Sequence, residues 1–325
     1  MRLGIVGCGR ICERGYIPAA RAATEVTIAA FADPNAERLE LCRGLWREHG
    51  DEATGYPSLS SLLAAEPIDL LVVAAPGEHH VALAEEAAAV GVRSLVEKPP
   101  APDLPAAARL AALDPQPLLA FNRRFLQGAE LRPSIPAEGW LEMDLELRFR
   151  REAWGAHEVR DEALLDAGIH LIDLACHLSG AAPIAVRRAR IDPERAELEL
   201  ELARGRARIS CATDRSHREI VSVRDRAGKL IARSVWGGVK SRLAGALGRP
   251  DPLALSLQRQ LEAVRDAIAA DPAFVLSPSI SGKGRTPLAS ADDGVIAMAV
   301  VEAARRSAEL TGVEVTVAPL NGASA

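Results

Sequence analysis

Up to about residue 121, short unbroken apolar runs alternate with alanine-rich helical stretches such as 81–90. The runs fall at 3–6, 26–32, 70–74, 94–96 and 118–121. Residues apolar at every position suit strands covered on both faces, which predicts an α/β unit with a doubly wound parallel sheet. After Asn122 the period changes. "WLEMDLELRFR", 140–150, is apolar at 141, 143, 145, 147 and 149 and charged between, the mark of a strand with one dry and one polar face. The alternation returns in "AELELELARGRARISCA", 196–212, where Gly205 is expected to supply a turn and the acidic strand to face Arg206 and Arg208. The second half therefore reads as an α+β domain with a largely antiparallel, open-faced sheet, its dry face to be covered by helices at 164–178, 255–269 and 291–310. The expected domains are 1–121 and 122–325. There is no internal repeat, and the Gly-, Pro- and Ser-rich stretches 237–252 and 277–290 read as mobile loops.

Composition narrows the function classes. The chain has 325 residues, 48% of them apolar, and a net charge of −5, enough for two cored domains. Its basic residues are scattered as pairs, not gathered in a stripe, which argues against a nucleic-acid groove and for a small-molecule substrate. Residues 1–6 already read as a strand, not a leader, and no apolar run is long enough for a membrane span, so a soluble, cytoplasmic protein is expected. Five cysteines without CxxC spacing favour neither a disulfide framework nor a structural zinc site; they read as reduced and mostly buried.

In an open parallel sheet, ligands bind beyond the carboxyl ends of the strands. The first strand is followed by "GCGRIC", where Gly7 and Gly9 permit a tight turn and close approach of backbone to a pyrophosphate, with Arg10 and Ile11 opening the next helix. Cys12 occupies the third fingerprint position, so a merely structural turn is the rival reading. Asp33, 24 residues after Gly9, ends the second strand, where a carboxylate can accept from the adenosine ribose hydroxyls. It also repels a 2′-phosphate, so NAD is preferred to NADP, with Arg38 able to compensate; the bland reading is a helix N-cap before Pro34. Further along the same edge come Ala75, Pro76 and His80 of "AAPGEHH", Glu97 and Lys98 of "EKPP", and Asn122 and Arg123 of "NRRF". Prolines after Lys98 fix a cation at a strand end. In "LLDAGIHLIDLACHLSG", 164–180, Asp166, His170, Asp173 and His177 share one stripe of a helix. Wrapping a metal from one straight helix is difficult, so no metal is expected.

The G-x-G-R-I turn, the Asp ending the second strand, "EKP", "NRRF" and "DAGIHLIDL", in this order and over nearly the whole chain, resemble the Gfo/Idh/MocA family of NAD(P)-dependent oxidoreductases of sugars and cyclitols. The resemblance implies an N-terminal Rossmann domain and a C-terminal domain whose sheet often forms a homo-oligomer interface. It implies that Lys98 lies beside the nicotinamide and that Asp166 and His170 form the acid/base pair. The cofactor set is then Gly7, Gly9, Arg10, Ile11, Asp33, Ala75, Pro76, His80, Glu97, Lys98 and Asn122. Histidine titrates near neutrality and suits removal of a hydroxyl proton, while Lys98 would hydrogen-bond the reacting oxygen. Arg123, Trp154 and His157 are candidate substrate contacts; for Arg123 and Arg124 a solvated pair is the alternative. A redox-neutral NAD-dependent glycosidase or lyase, a dihydrodiol or biliverdin type reductase, or a non-catalytic NAD-binding regulator shares the scaffold. "EVRDEALLD", 158–166, departs from the family's usual glycine-rich run and points to a different substrate pocket. The charged outer face of the second sheet would need close charge pairing in any interface.

Overall fold

The computed structural model describes residues 1–48, 50–154, 161–237, 251–281 and 286–318. The chain forms two compact units, one of residues 1–125, 251–276 and 288–292, the other of 126–250, 277–287 and 293–325.

The first unit is built on β1 (Arg2–Val6), β2 (Thr27–Ala32), β3 (Thr54–Tyr56), β4 (Leu70–Val73), β5 (Ser94–Val96) and β6 (Leu118–Leu119). These pair in the parallel order β6-β5-β4-β1-β2-β3. The switch of strand order lies between β1 and β4, where a doubly wound sheet opens its ligand crevice. β1 and β4 are buried along nearly their whole length, as the unbroken apolar runs require. The short β3 lacks a strong apolar run and was not expected.

A late segment completes this unit. The helix Pro252–Ala270, expected to cover the second sheet, instead buries Leu257, Leu261 and Val264 in the core that holds Tyr16, Ile17 and Ala20. Gly15 makes the close approach feasible, since a Cβ there would lie 2.7 Å from Leu257 Cδ1. Gln260 Nε2 donates to Leu119 O at 3.0 Å, and Arg259 Nη1 to Phe125 O at 3.1 Å. Arg93 donates to Phe274 O at 2.8 Å and lies 4.4 Å from that ring's centroid. Amphipathic periodicity shows that a helix has a dry face, not which sheet receives it.

The second unit is a seven-stranded sheet of β7 (Leu141–Arg150), β8 (Pro183–Ile191), β9 (Arg195–Leu202), β10 (Gly205–Ala212), β11 (Asp214–Arg224), β12 (Leu230–Gly237) and β14 (Val315–Thr316), in the order β12-β11-β7-β10-β9-β8-β14. The two-residue β13 (Ala289–Ser290) pairs antiparallel with β6 in the first unit. All pairs in the second sheet are antiparallel except β7 with β10. Gly205 serves that parallel pair more than the hairpin: residues 203 and 204 make the turn, while Gly205 holds φ +150° and a Cβ there would fall 1.9 Å from Leu141 O.

The alternating residues divide as expected. Leu141, Met143, Leu145 and Leu147 are buried, and the helix Ile169–Ser179 packs against β7 and β10. On the other face β9 carboxylates oppose β10 arginines in register, Glu201 with Arg206 and Glu199 with Arg208. Their ion pairs reach outward by one strand on each side. Arg187 holds Glu201 at 2.7 Å and Arg188 holds Glu199 at 3.0 Å, while Arg206 holds Glu142 at 2.8 Å and Arg208 lies 3.6 Å from Asp144. At roughly 0–1 kcal/mol each, such pairs do more for register than for stability. A cavity of about 1000 Å³ opens on this face, lined among others by Asp144, Glu146, Glu199 and Arg208; none of the candidate catalytic residues lines it.

Leu261→Ala is expected to cost about 2–5 kcal/mol in urea unfolding. It is also expected to lower hydrogen-exchange protection at Ile17–Ala22; unchanged protection there would place the late helix outside this core.

Candidate functional site

The turn after β1 is fixed by backbone crowding. Gly7 sits at φ +96°, and a Cβ would lie 2.6 Å from the carbonyl group of Ala74 and the nitrogen of Ala75. Gly7 N donates to Ala32 O at 2.9 Å and Ala74 N to Val6 O at 2.8 Å, so the ends of β1, β2 and β4 are laced together. At Gly9 the situation is reversed: a Cβ would meet nothing within 4 Å. That side-chain-free space above a turn that opens a helical stretch fits a pyrophosphate. The helical stretch opens at Arg10 and Ile11 and passes through a π turn, Cys12–Tyr16, into the α-helix Ile17–Ala22. Cys12 is fully buried beside Cys8 and Cys42, so the third fingerprint position serves packing.

Asp33 does not cap the following helix; Asn35 does, its side chain accepting from Glu37 N and Arg38 N. The Asp33 carboxylate accepts from Cys8 N at 2.7 Å through Oδ2 and from Asn35 N at 2.8 Å through Oδ1. It is thereby fixed at the end of β2, beside the turn. Arg38 is occupied: its Nε donates to Cys8 O at 2.9 Å and its Nη2 to Glu13 at 3.0 Å.

Three further residues converge on the turns after β4 and β5. The fully buried His80 bridges them, with Nδ1 2.7 Å from Pro99 O and Nε2 2.8 Å from Ala75 O. Burial pushes its pKa down, and the two carbonyls pull the other way. Its ring is thus committed to backbone, which makes His80 a brace for these turns where a direct cofactor contact was expected. Glu97 is buried and accepts from Tyr16 Oη at 2.8 Å and from Lys98 N at 3.1 Å. Lys98 itself is half-buried. Asn122 is buried and accepts from Arg123 Nη1 at 3.2 Å, while Arg124, 1% exposed, donates to Leu288 O at 3.1 Å. The solvated-pair alternative therefore fails for Arg124.

In the second unit the "DAGIH" stretch is not uniformly α-helical. Residues Leu164–Gly168 form a π turn that runs into the helix Ile169–Ser179, so the simple i, i+4 stripe is under-wound at Asp166. Gly168 allows close packing: a Cβ there would lie 3.2 Å from Cys211 Sγ. Asp166, His170, Asp173 and His177 are all buried. Asp166 Oδ2 accepts from Arg151 Nη2 at 2.9 Å and Nε at 3.1 Å, and Arg151 Nη2 also donates to Asp161 O at 2.7 Å. A guanidinium at the end of β7 thus orients the candidate acid/base carboxylate. Among the described residues no group of three or more His, Cys, Asp or Glu is arranged to hold a metal.

Tyr16, Glu13 and Arg151 were not singled out from sequence. Tyr16 partners Glu97, Arg151 partners Asp166 and Glu13 partners Arg38, each across 15 or more residues, and no local spacing announces such pairs. His157 lies outside the described residues. The backbone of Trp154 ends the 3-10 turn Arg151–Trp154.

Residues 1–116 match the family model described as an oxidoreductase family with an NAD-binding Rossmann fold. This N-terminal part of the chain is thus similar to the Gfo/Idh/MocA oxidoreductase family. Among curated proteins the chain is 32% identical to the rhizopine catabolism protein MocA of Rhizobium meliloti over 198 residues, 58% of this chain and 60% of that one. It is 31% identical to YceM of Salmonella typhimurium over 187 residues, 55% of this chain and 57% of that one. The chain thus spans less than two thirds of the length of these relatives. In fold it is similar to myo-inositol dehydrogenase from Lactobacillus casei, solved with NAD(H) and myo-inositol, with a TM-score of 0.75 over 100% of this chain and 98% of that one at 16% identity. No described helix is long and apolar enough to cross a membrane.

Burial raises the Glu97 pKa above the ordinary carboxylate value, opposed by Tyr16 and Lys98. A group whose folded pKa is raised contributes stability that is fully present below its unfolded pKa and lost as pH rises through the folded one. The neutral Glu97→Gln side chain removes that loss. Its melting temperature is expected to gain on the parent's as pH climbs from about 4 toward neutrality; parallel curves would show that Glu97 does not titrate in that range.

Proposed function

We propose that the whole chain is a Gfo/Idh/MocA oxidoreductase, an NAD(P)-dependent dehydrogenase or reductase acting on a secondary alcohol or ketone of a sugar, cyclitol or sugar derivative. The observation that carries the reading is the open space above Gly9, with Asp33 fixed at the neighbouring strand end, in the residues that match the NAD-binding family. Gly7 to Ile11 would hold the pyrophosphate and Asp33 the adenosine ribose. When bound, the dinucleotide supplies the hydride acceptor or donor. NAD is the preferred form, because Asp33 is an anion at the position that meets the 2′ group.

The chain's own groups handle the proton. His170 takes the hydroxyl proton in oxidation and returns it in reduction, and Asp166, steadied by Arg151, orients and balances the imidazolium. Lys98 hydrogen-bonds the reacting oxygen and stabilises its developing charge. Names of curated relatives, among them a UDP-N-acetylglucosamine 3-dehydrogenase of Acidithiobacillus ferrooxidans and an inositol 2-dehydrogenase of Corynebacterium glutamicum, support the sugar or cyclitol class.

Nicotinamide absorbance followed against sugars, inositols and keto-sugars with each cofactor tests the reading. His170→Ala and Lys98→Ala are each expected to lower kcat/KM by about 10²-fold or more. Variants as fast as the parent would remove the role assignment, and turnover without net absorbance change would favour a redox-neutral hydrolase or lyase. Self-association through the charged sheet would rest on its Arg and Glu columns, so light scattering should show a dimer that weakens with salt. A tight, salt-insensitive dimer would count against it.

A further inference from the structure

Two arginines stand at the adenosine side of the turn, and one carboxylate occupies both. Glu13, in the first turn after the glycines, accepts from Arg10 Nη1 at 2.8 Å through Oε1 and 3.0 Å through Oε2. The same carboxylate accepts from Arg38 Nη2 at 3.0 Å. Arg38 is also tied to the turn, since its Nε donates to the carbonyl of Cys8, whose own N–H donates to Asp33. A guanidinium and the ribose-reading carboxylate therefore grip the two sides of one residue.

An arginine near that carboxylate is what accommodates a 2′-phosphate in dinucleotide folds. The side chains border solvent, at 35% exposure for Arg10, 30% for Arg38 and 18% for Glu13, so a ligand can reach them. With Asp33 and Glu13 against Arg10 and Arg38, the formal charge of the four groups is zero. Without Glu13 it would be +1, facing a phosphate of about −1.5 to −2.

We propose that Glu13 sets the choice between NAD and NADP, by withholding the Arg10 and Arg38 guanidiniums from a 2′-phosphate. This deepens, and rests on, the assignment of the turn to a nicotinamide dinucleotide. Glu13 is not among the buried residues of the π turn, which are Cys12, Gly15 and Tyr16, so its carboxylate serves the two arginines and not the core.

The test is a pair of dissociation constants, for NADH and NADPH, read from nicotinamide fluorescence on the purified chain. Glu13→Gln keeps the side chain's size and removes its charge; Glu13→Ala is the second neutral replacement should the amide disturb the turn. The NADPH-to-NADH affinity ratio is expected to rise by about tenfold, the scale of one freed charge-assisted pair. Adding Arg10→Gln and Arg38→Gln is expected to return the ratio to the parent's value or below it. A ratio unchanged within about twofold, or a gain that survives loss of both arginines, would overturn the proposal. Failure of the parent to bind either dinucleotide would instead sink the cofactor assignment, which is a separate result.

Discussion

A peptide bond pressed against an α-carbon is the constraint on which the nucleotide end of this protein depends. The Ala74–Ala75 backbone passes so close to Gly7 that only a hydrogen fits between them, and the positive φ at Gly7 turns the chain away as soon as β1 ends. The other features follow. The turn brings Cys8 N to Asp33, places Gly9 where nothing crowds it, and starts the helical stretch whose Tyr16 reaches Glu97. A side chain at Gly7 would cost more than local strain, because it would separate the two strands between which the crevice opens.

Each candidate carboxylate is held by a partner distant in the chain. Asp33 takes backbone N–H groups, Glu97 a phenol and an N–H, Asp166 a guanidinium. These partners differ in what they leave possible. Backbone donors hold a carboxylate still and leave lone pairs for ribose hydroxyls. A phenol in a dry site permits the protonated acid, and indeed burial shifts Glu97 that way. A guanidinium, with two N–H donors on one oxygen, gives Asp166 a fixed orientation.

Much of this arrangement was legible in the order of residues. The unbroken apolar runs marked the parallel strands because burial on both faces leaves no polar position. The alternation in 140–150 and 196–212 marked the open sheet because one face stays wet. The glycine turn and the motifs "EKP" and "DAGIH" carried the candidate groups by residue type. What could not be read was long-range pairing. Nothing near Leu257 or Leu261 says that their helix docks on Tyr16 and Ile17 and not on the second sheet. Nothing around Asp166 names Arg151, and the π turn that shifts Asp166 out of the regular stripe has no sequence signature in this stretch. Arg38 looked available for a phosphate because its tie to Glu13 spans 25 residues.

The late helix has a bearing on how the chain is made. The dinucleotide unit is not closed when its six parallel strands have been synthesised, because Leu257, Leu261 and Val264 belong to the same core as Tyr16 and Ile17. While the ribosome is still adding residues up to about 250, that apolar floor stays uncovered, and the intervening sheet can collapse first. Such a nascent chain offers chaperones a defined sticky surface, and a truncated transcript ending before the helix would yield an aggregation-prone product instead of a smaller working domain.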